Sequence, residues 1–194
     1  MFQCLLKQGV IMAMFNELSD KLTGFIKNQK IFFVATATID SKINLSPKGM
    51  DTLKVLSQNR IAWLNLTGSG NETSAHVQKD GRMTLMFCAF EGSPLILRLY
   101  GKAKVVHQND PEWHSLYKLF KPLPGARQIF ELSIDLVHTS CGTGVPNFKY
   151  LGDRNQLNKW AMTKGNDGIK KYWVEKNQFS LDNDPTHIVR KNID

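Results

Sequence analysis

Hydrophobic and polar positions change their period twice along the chain. Leu18, Leu22, Phe25 and Ile26 recur at helical spacing on one face, and Ser19 or Asp20 starts the helix they predict. Beyond them the period falls to two. Residues 31–38 (IFFVATAT) are rich in β-branched and aromatic side chains, Asp40-Ser41 supplies a turn, and 42–46 alternates again, which predicts a hairpin. Further strands are predicted at 60–67, 82–90, 94–107 with a bulge at Gly101, and 128–139. In the last of these Phe130, Leu132, Ile134 and Leu136 face one way, and Glu131, Ser133 and Asp135 the other. Two short helices interrupt the strands. A capping box, Ser69-Gly-Asn-Glu72, opens the first and Asp80-Gly81 ends it, while Asp110-Pro111 opens the second. From Asp153 the period is helical again. One segment carries Leu157, Trp160 and Ala161; another, from Asp167, carries Ile169, Tyr172 and Trp173 and stops at Asn177.

About six strands joined mostly by tight turns predict a mainly β antiparallel barrel with peripheral helices. A doubly wound parallel sheet would need a long helical crossover between each pair of strands. The expected organisation is a barrel domain over 15–150 and a helical C-terminal extension, 151–194, packed on it. Met12 and Met14 offer later starts, so 1–14 reads as an upstream segment.

With 194 residues the chain is long enough to bury a core without a disulfide or a metal. No run of about 18 apolar residues occurs, so no membrane span is expected. Cys4, Cys88 and Cys141 form no CxxC pair, which predicts a reducing, cytoplasmic setting. A net charge of +8 points to an anionic partner: nucleic acid, a phosphate-bearing cofactor or an acidic substrate.

Two polar clusters refine that choice. The segment Thr67-Gly68-Ser69-Gly70-Asn71-Glu72-Thr73 lies between a strand and a short helix, where glycines admit a ligand to the backbone and unpaired helix amides point outward. It reads as an anion cradle or, without a ligand, as a capped turn. Asn44-Leu45-Ser46-Pro47-Lys48-Gly49 closes the hairpin and offers a lysine as phosphate counter-charge, or is a solvated turn. Between them Trp63 and Asn65 would give a planar ligand an aromatic wall and an amide, although tryptophan at strand spacing is commonly core. Cys141, on a third glycine-rich turn, has no cation adjacent in sequence and reads as structural. The five histidines lack metal-ligand spacing, and no GxSxG elbow occurs.

The stretches FVATATID with INLSPKG, IAWLNLTGSGNETSAHVQKDGRMTLMFC, and LILRLYGKAKVV resemble the FMN-binding split-barrel family, the pyridoxamine 5'-phosphate oxidase-like proteins. That resemblance implies a six-stranded antiparallel split β-barrel of Greek-key type, a homodimer, and FMN held in a groove between subunits. Ser46 and Lys48 would meet the phosphate with Ser69, Asn71 and Thr73, and Asn44, Thr67 and Gly70 are also expected to touch the cofactor. Ile43 to Leu45 and Trp63, Leu64 and Asn65 would flank the ring. Two features depart from the oxidase itself. The best register puts Ile96 where the oxidase carries a glutamine, and the oxidase's C-terminal Trp and Arg-Leu-His segment is not recognisable. Vitamin B6 oxidation is therefore not carried over, nor is any catalytic residue. The expected function is an FMN-dependent oxidoreductase of an unidentified small substrate. Two alternatives are a protein that binds or sequesters FMN, a deazaflavin or haem without turnover, and, more remotely, a nucleic-acid-binding small barrel.

Overall fold

The computed structural model describes residues 12–194. The expected upstream segment therefore falls mostly outside the described residues, but Ala13 and Met14 belong to a strand. In chain order the elements are β1 (Ala13–Phe15), α1 (Asp20–Asn28), β2 (Phe32–Thr36), β3 (Asn44–Lys48), β4 (Leu53–Ser57), β5 (Arg60–Leu66), α2 (Glu72–Lys79), β6 (Arg82–Cys88), β7 (Ile96–His107), α3 (Trp113–Tyr117), β8 (Ala126–Ser140), α4 (Gln156–Lys176) and α5 (Ile188–Asn192). All pairings between these strands are antiparallel, in the order β3-β2-β6-β7-β8-β5-β4, with β1 added beside β8.

Closure into a barrel follows from that order. β3 and β4 lie at opposite ends of the sheet, yet only residues 49–52 connect them. Four residues span little more than about 14 Å, so the two ends must curl together. The β3–β4 seam carries no ladder, which makes the barrel split. Eight strands stand where about six were expected. β1 has only three residues, and β4 is half-buried from Leu53 to Leu56 without clear alternation.

The barrel interior holds Trp63 stacked on Phe130 at 4.6 Å, with Phe32, Phe87, Leu85, Leu99 and Leu132 around them. Leu22 and Ile26 of α1 close this core, and Ser19 caps the helix by accepting from Leu22 N–H. The expected bulge forms at Gly101. Tyr100 pairs with Leu136 and Gly101 with Ile134, so Asp135 is the extra residue. A Cβ at Gly101 would run into the Ser133 carbonyl, which is why glycine stands there. The bulge also shifts the phase of β8. Val137 is buried and Leu136 only half-buried, reversing the alternation expected beyond Asp135.

Two expected helix caps are not made. The Ser69–Glu72 box does not form: α2 starts at Glu72 itself, with Asn71 as a cap residue whose side chain makes no cap bond and whose Nδ2 donates to the Asn177 carbonyl. The Asp110 carboxylate accepts from His107 N–H and pairs with Lys191 at 2.9 Å, and α3 begins only at Trp113. The tail follows expectation more closely. α4 breaks at Gly165 into two helical pieces and ends at Asn177. Ala161, Ile169 and Trp173 form a small core with Ile188 of α5, and Trp173 Nε1 donates to Thr67 Oγ1 at 2.8 Å, docking the tail on the barrel. Among the described residues no helix is long and apolar enough to cross a membrane.

Candidate functional site

The two polar clusters meet. On β3, Asn44, Ser46 and Lys48 share one face by the two-residue period and look into a cavity of about 290 Å³. The opposite wall is the loop from Gly68 to Asn71 and the first turn of α2, with Asn65 and Arg127 as the floor. The positive end of the α2 dipole thus faces the cavity.

Its electrostatics are those of an anion site. Lys48 lies half-buried above the Trp63 ring, 5.6 Å from its centroid. Burial and the nearby Arg127 charge lower its pKa to about 8, against a smaller opposing effect of Glu72. Arg127 is buried, and desolvation lowers its pKa to about 10. Among the described residues neither cation forms an ion pair within 4.0 Å. Arg127 instead donates to two neutral acceptors, Asn177 Oδ1 at 2.8 Å and the Gly70 carbonyl at 3.1 Å. Its Nε and the Ser46 hydroxyl are buried without partners among the described residues. Two cations against the Glu72 carboxylate leave the wall net positive. A phosphate would supply what burial withholds: a counter-charge for Lys48 and Arg127, and acceptors for Arg127 Nε and Ser46 Oγ.

Other expected site residues take different places. Thr73 Oγ1 accepts from Asn44 Nδ2 at 2.9 Å, which ties β3 to α2 across the cavity. Asn71 spends its amide nitrogen on the tail and leaves Oδ1 buried without a partner among the described residues, an acceptor suited to a hydroxyl rather than to phosphate. Asn65 donates to Gln128 Oε1 at 3.2 Å, and Gln128 reaches Ser74 and His107 beneath the floor. Thr67 is committed inward, donating to the Gly125 carbonyl and accepting from Trp173. Trp63 and Leu64 point into the core, so their side chains form no wall of the cavity. Ser69 is exposed at its rim.

A second cavity of about 480 Å³ adjoins the first along Asn44, Ser69, Gly70 and Glu72. Ile43, just ahead of β3, and Leu45, on its outer face, line it from one side, and Phe179 and Leu181 from the tail. Ile43 is 79% exposed and Leu45 62%, an unusual apolar outer face on an edge strand. Sequence reasoning missed Arg127 and the tail residues, and took Glu72 only as part of the capping box and the cradle segment. The only local sign of Arg127 was a basic residue at the head of a long apolar strand. Cys141 sits in its turn with its thiol 3.4 Å from Thr143 Oγ1, a contact that lowers its pKa. His76 and His107 are buried, His107 kept neutral by a pKa lowered to about 4 through desolvation.

Comparison with known proteins places the chain. The pyridoxamine 5'-phosphate oxidase family matches residues 18–141. A curated relative, the pyridoxamine 5'-phosphate oxidase family protein ustO of Aspergillus flavus, is 36% identical over 189 residues, covering 88% of this chain and 76% of its own. The fold is shared with a candidate pyridoxamine 5'-phosphate oxidase of Lactobacillus delbrueckii (TM-score 0.51, 20% identity, 63% of this chain and 94% of that one). It is shared equally with a variant of HupZ from Group A Streptococcus (TM-score 0.51, 14% identity, 63% and 98%). The chain belongs to the pyridoxamine 5'-phosphate oxidase family.

Proposed function

We propose that this member of the family is a flavoprotein that binds FMN noncovalently and serves as an oxidoreductase of a small substrate. The observation that carries the reading is the pair of cations, Lys48 and Arg127, that form no carboxylate ion pair among the described residues, set beside the Ser46 hydroxyl, which is buried without a partner among them. Lys48, Arg127 and Ser46 would hold the phosphate, the first turn of α2 would add backbone donors, and Asn71 Oδ1 would accept from the sugar-alcohol chain. The isoalloxazine ring supplies hydride chemistry when bound. The chain's own part is to hold the anion, orient the ring along β3, and keep water from the phosphate.

The apolar outer face of β3 calls for a cover, and a second copy of the chain is the natural one, so the working form is read as a homodimer. The larger cavity leaves room for a substrate beside the ring, between Ile43 and Leu45 and the tail.

Titration with FMN and with riboflavin, which lacks the phosphate, tests the reading. Two charge-assisted contacts of about 1.5–3 kcal/mol each predict at least a roughly 100-fold preference for FMN. Equal affinity for the two would overturn it. Reduction of the bound flavin by NAD(P)H, followed by reoxidation with oxygen or a quinone, supports turnover. A flavin inert to every donor supports the sequestering alternative.

A further inference from the structure

The C-terminal tail reaches the cradle through one side chain. Asn177 terminates α4 and is fully buried. Its Oδ1 accepts from Arg127 Nη1 at 2.8 Å, and its Nδ2 donates to the carbonyls of Gly68 and Ser69 at 3.1 and 3.2 Å. Its own carbonyl accepts from Asn71 Nδ2 at 3.2 Å and from Thr186 Oγ1 at 2.6 Å. One residue of the tail thus fixes the guanidinium, three loop residues and the chain that follows it.

The chemistry of an amide suits this place. Arg127 is a long, flexible cation held dry, among the described residues, by two neutral acceptors, one of which belongs to Asn177. An acceptor without charge aims the guanidinium and leaves its full charge for a ligand. A carboxylate would hold it as firmly but cancel it. The two donors of the same amide pull in the carbonyls of Gly68 and Ser69, which otherwise would face the anion with negative dipoles. With the tail undocked, Arg127 would swing into water and the loop would lose its brace.

We propose that Asn177 is a positioning residue that couples docking of the C-terminal tail to anion binding in the cradle. The proposal rests on reading the cradle as an anion site. Coupling is reciprocal: the tail raises anion affinity, and the anion protects the tail from opening.

The test compares the full-length protein with Asn177→Ala and Asn177→Asp, using FMN and inorganic pyrophosphate as probes. Affinity is read by titration, tail opening by hydrogen exchange over 177–194, and stability by thermal melting. Asn177→Ala should bind each probe at least about 10-fold more weakly, as expected for losing the aim of one charged contact. Asn177→Asp keeps an acceptor for Arg127 but turns a carboxylate oxygen onto the Gly68 and Ser69 carbonyls, so it should melt below the wild type. By cancelling the Arg127 charge it should also bind more weakly than Asn177→Ala, beyond what their difference in melting temperature accounts for. Ligand should slow exchange in the wild-type tail and not in Asn177→Ala. A purely structural role predicts instead that affinity follows melting temperature, so Asn177→Asp with wild-type affinity overturns the proposal, as do tail amides indifferent to ligand. Should Asn177→Ala fail to fold, Asn177→Asp and the wild-type exchange data decide. A wild type that binds pyrophosphate but not FMN defeats the flavin reading alone, and Asn177 is then judged on pyrophosphate. A wild type that binds neither defeats both.

Discussion

Replacing Lys48 by methionine should move stability and binding in opposite directions. The ammonium is held in a confined cavity beside a second cation, and its pKa falls from 10.5 to about 8. At neutral pH the ligand-free fold therefore carries a charging cost of up to about 3 kcal/mol, since each pH unit is worth about 1.4 kcal/mol. Methionine keeps an apolar stem over Trp63 and removes that cost. Losing the contact between ammonium and ring returns roughly 1 kcal/mol of it, for a net gain of about 1–2 kcal/mol. In a domain of this size that corresponds to a rise of about 3–6 °C in melting temperature. FMN affinity should fall by about 1.5–3 kcal/mol, or roughly 10- to 150-fold, because a charge-assisted contact is gone. The pH dependence carries the same signature. Between about pH 8 and 10.5 the folded protein has released a proton that the unfolded chain still holds, so ligand-free stability rises with pH across that window. FMN affinity, which needs the charged form, is full below about pH 8 and declines above it. Both trends should weaken in Lys48→Met. The assays are thermal melting of the ligand-free protein and FMN titration from about pH 7 to 10, a range that brackets the shifted lysine. A variant that melts lower than the wild type while binding FMN equally well would refute the assignment of Lys48 as a strained, functional cation.

Other substitutions read separate parts of the account. Ser46→Ala removes an orphaned hydroxyl, so it should leave the melting temperature nearly unchanged and weaken FMN by about 0.5–1.5 kcal/mol in titration. His107 is buried neutral with a pKa lowered to about 4, so between pH 6.5 and about 4 the unfolded chain takes up a proton that the folded one refuses. Stability should fall with pH in that window by up to about 3 kcal/mol, and urea melts of His107→Gln should show a shallower fall. Gly101→Ala drives a methyl into the Ser133 carbonyl at the bulge, which should cost at least about 2 kcal/mol in the same melts.

How far the sequence could be read depended on the range of the interactions. β2, β5, β6, β7 and β8 were legible because their apolar residues alternate and their turns carry local chemistry. Even the bulge at Gly101 was visible. β4 was not, since its residues Leu53 to Leu56 are all half-buried and its entry through Met50 and Asp51, both at positive φ, uses neither glycine nor asparagine. The cradle loop and the β3 cluster were legible as separate polar segments with glycine. Their convergence was not, because residues 44–48 and 68–73 meet only when the sheet closes. Arg127 lay just ahead of the strand predicted at 128–139. Its burial comes from Asn177, fifty positions later, and a helix stop in the sequence gives no sign that its side chain will be an anchor. The capping box at Ser69–Glu72 and the Asp110-Pro111 cap were over-read for the same reason. Ser69 lies ahead of the cap position of α2, which Asn71 fills, and Asp110 bonds back to His107 N–H and across to Lys191 of the tail.

The central claim is most directly tested by the absorption spectrum of the purified protein across the near-ultraviolet and visible range, recorded before and after adding FMN, with mass spectrometry of whatever heat releases. The account predicts the bands of an oxidised flavin, present from the start or appearing on addition, and a released mass equal to FMN. A protein that is colourless as purified and takes up no FMN would contradict it.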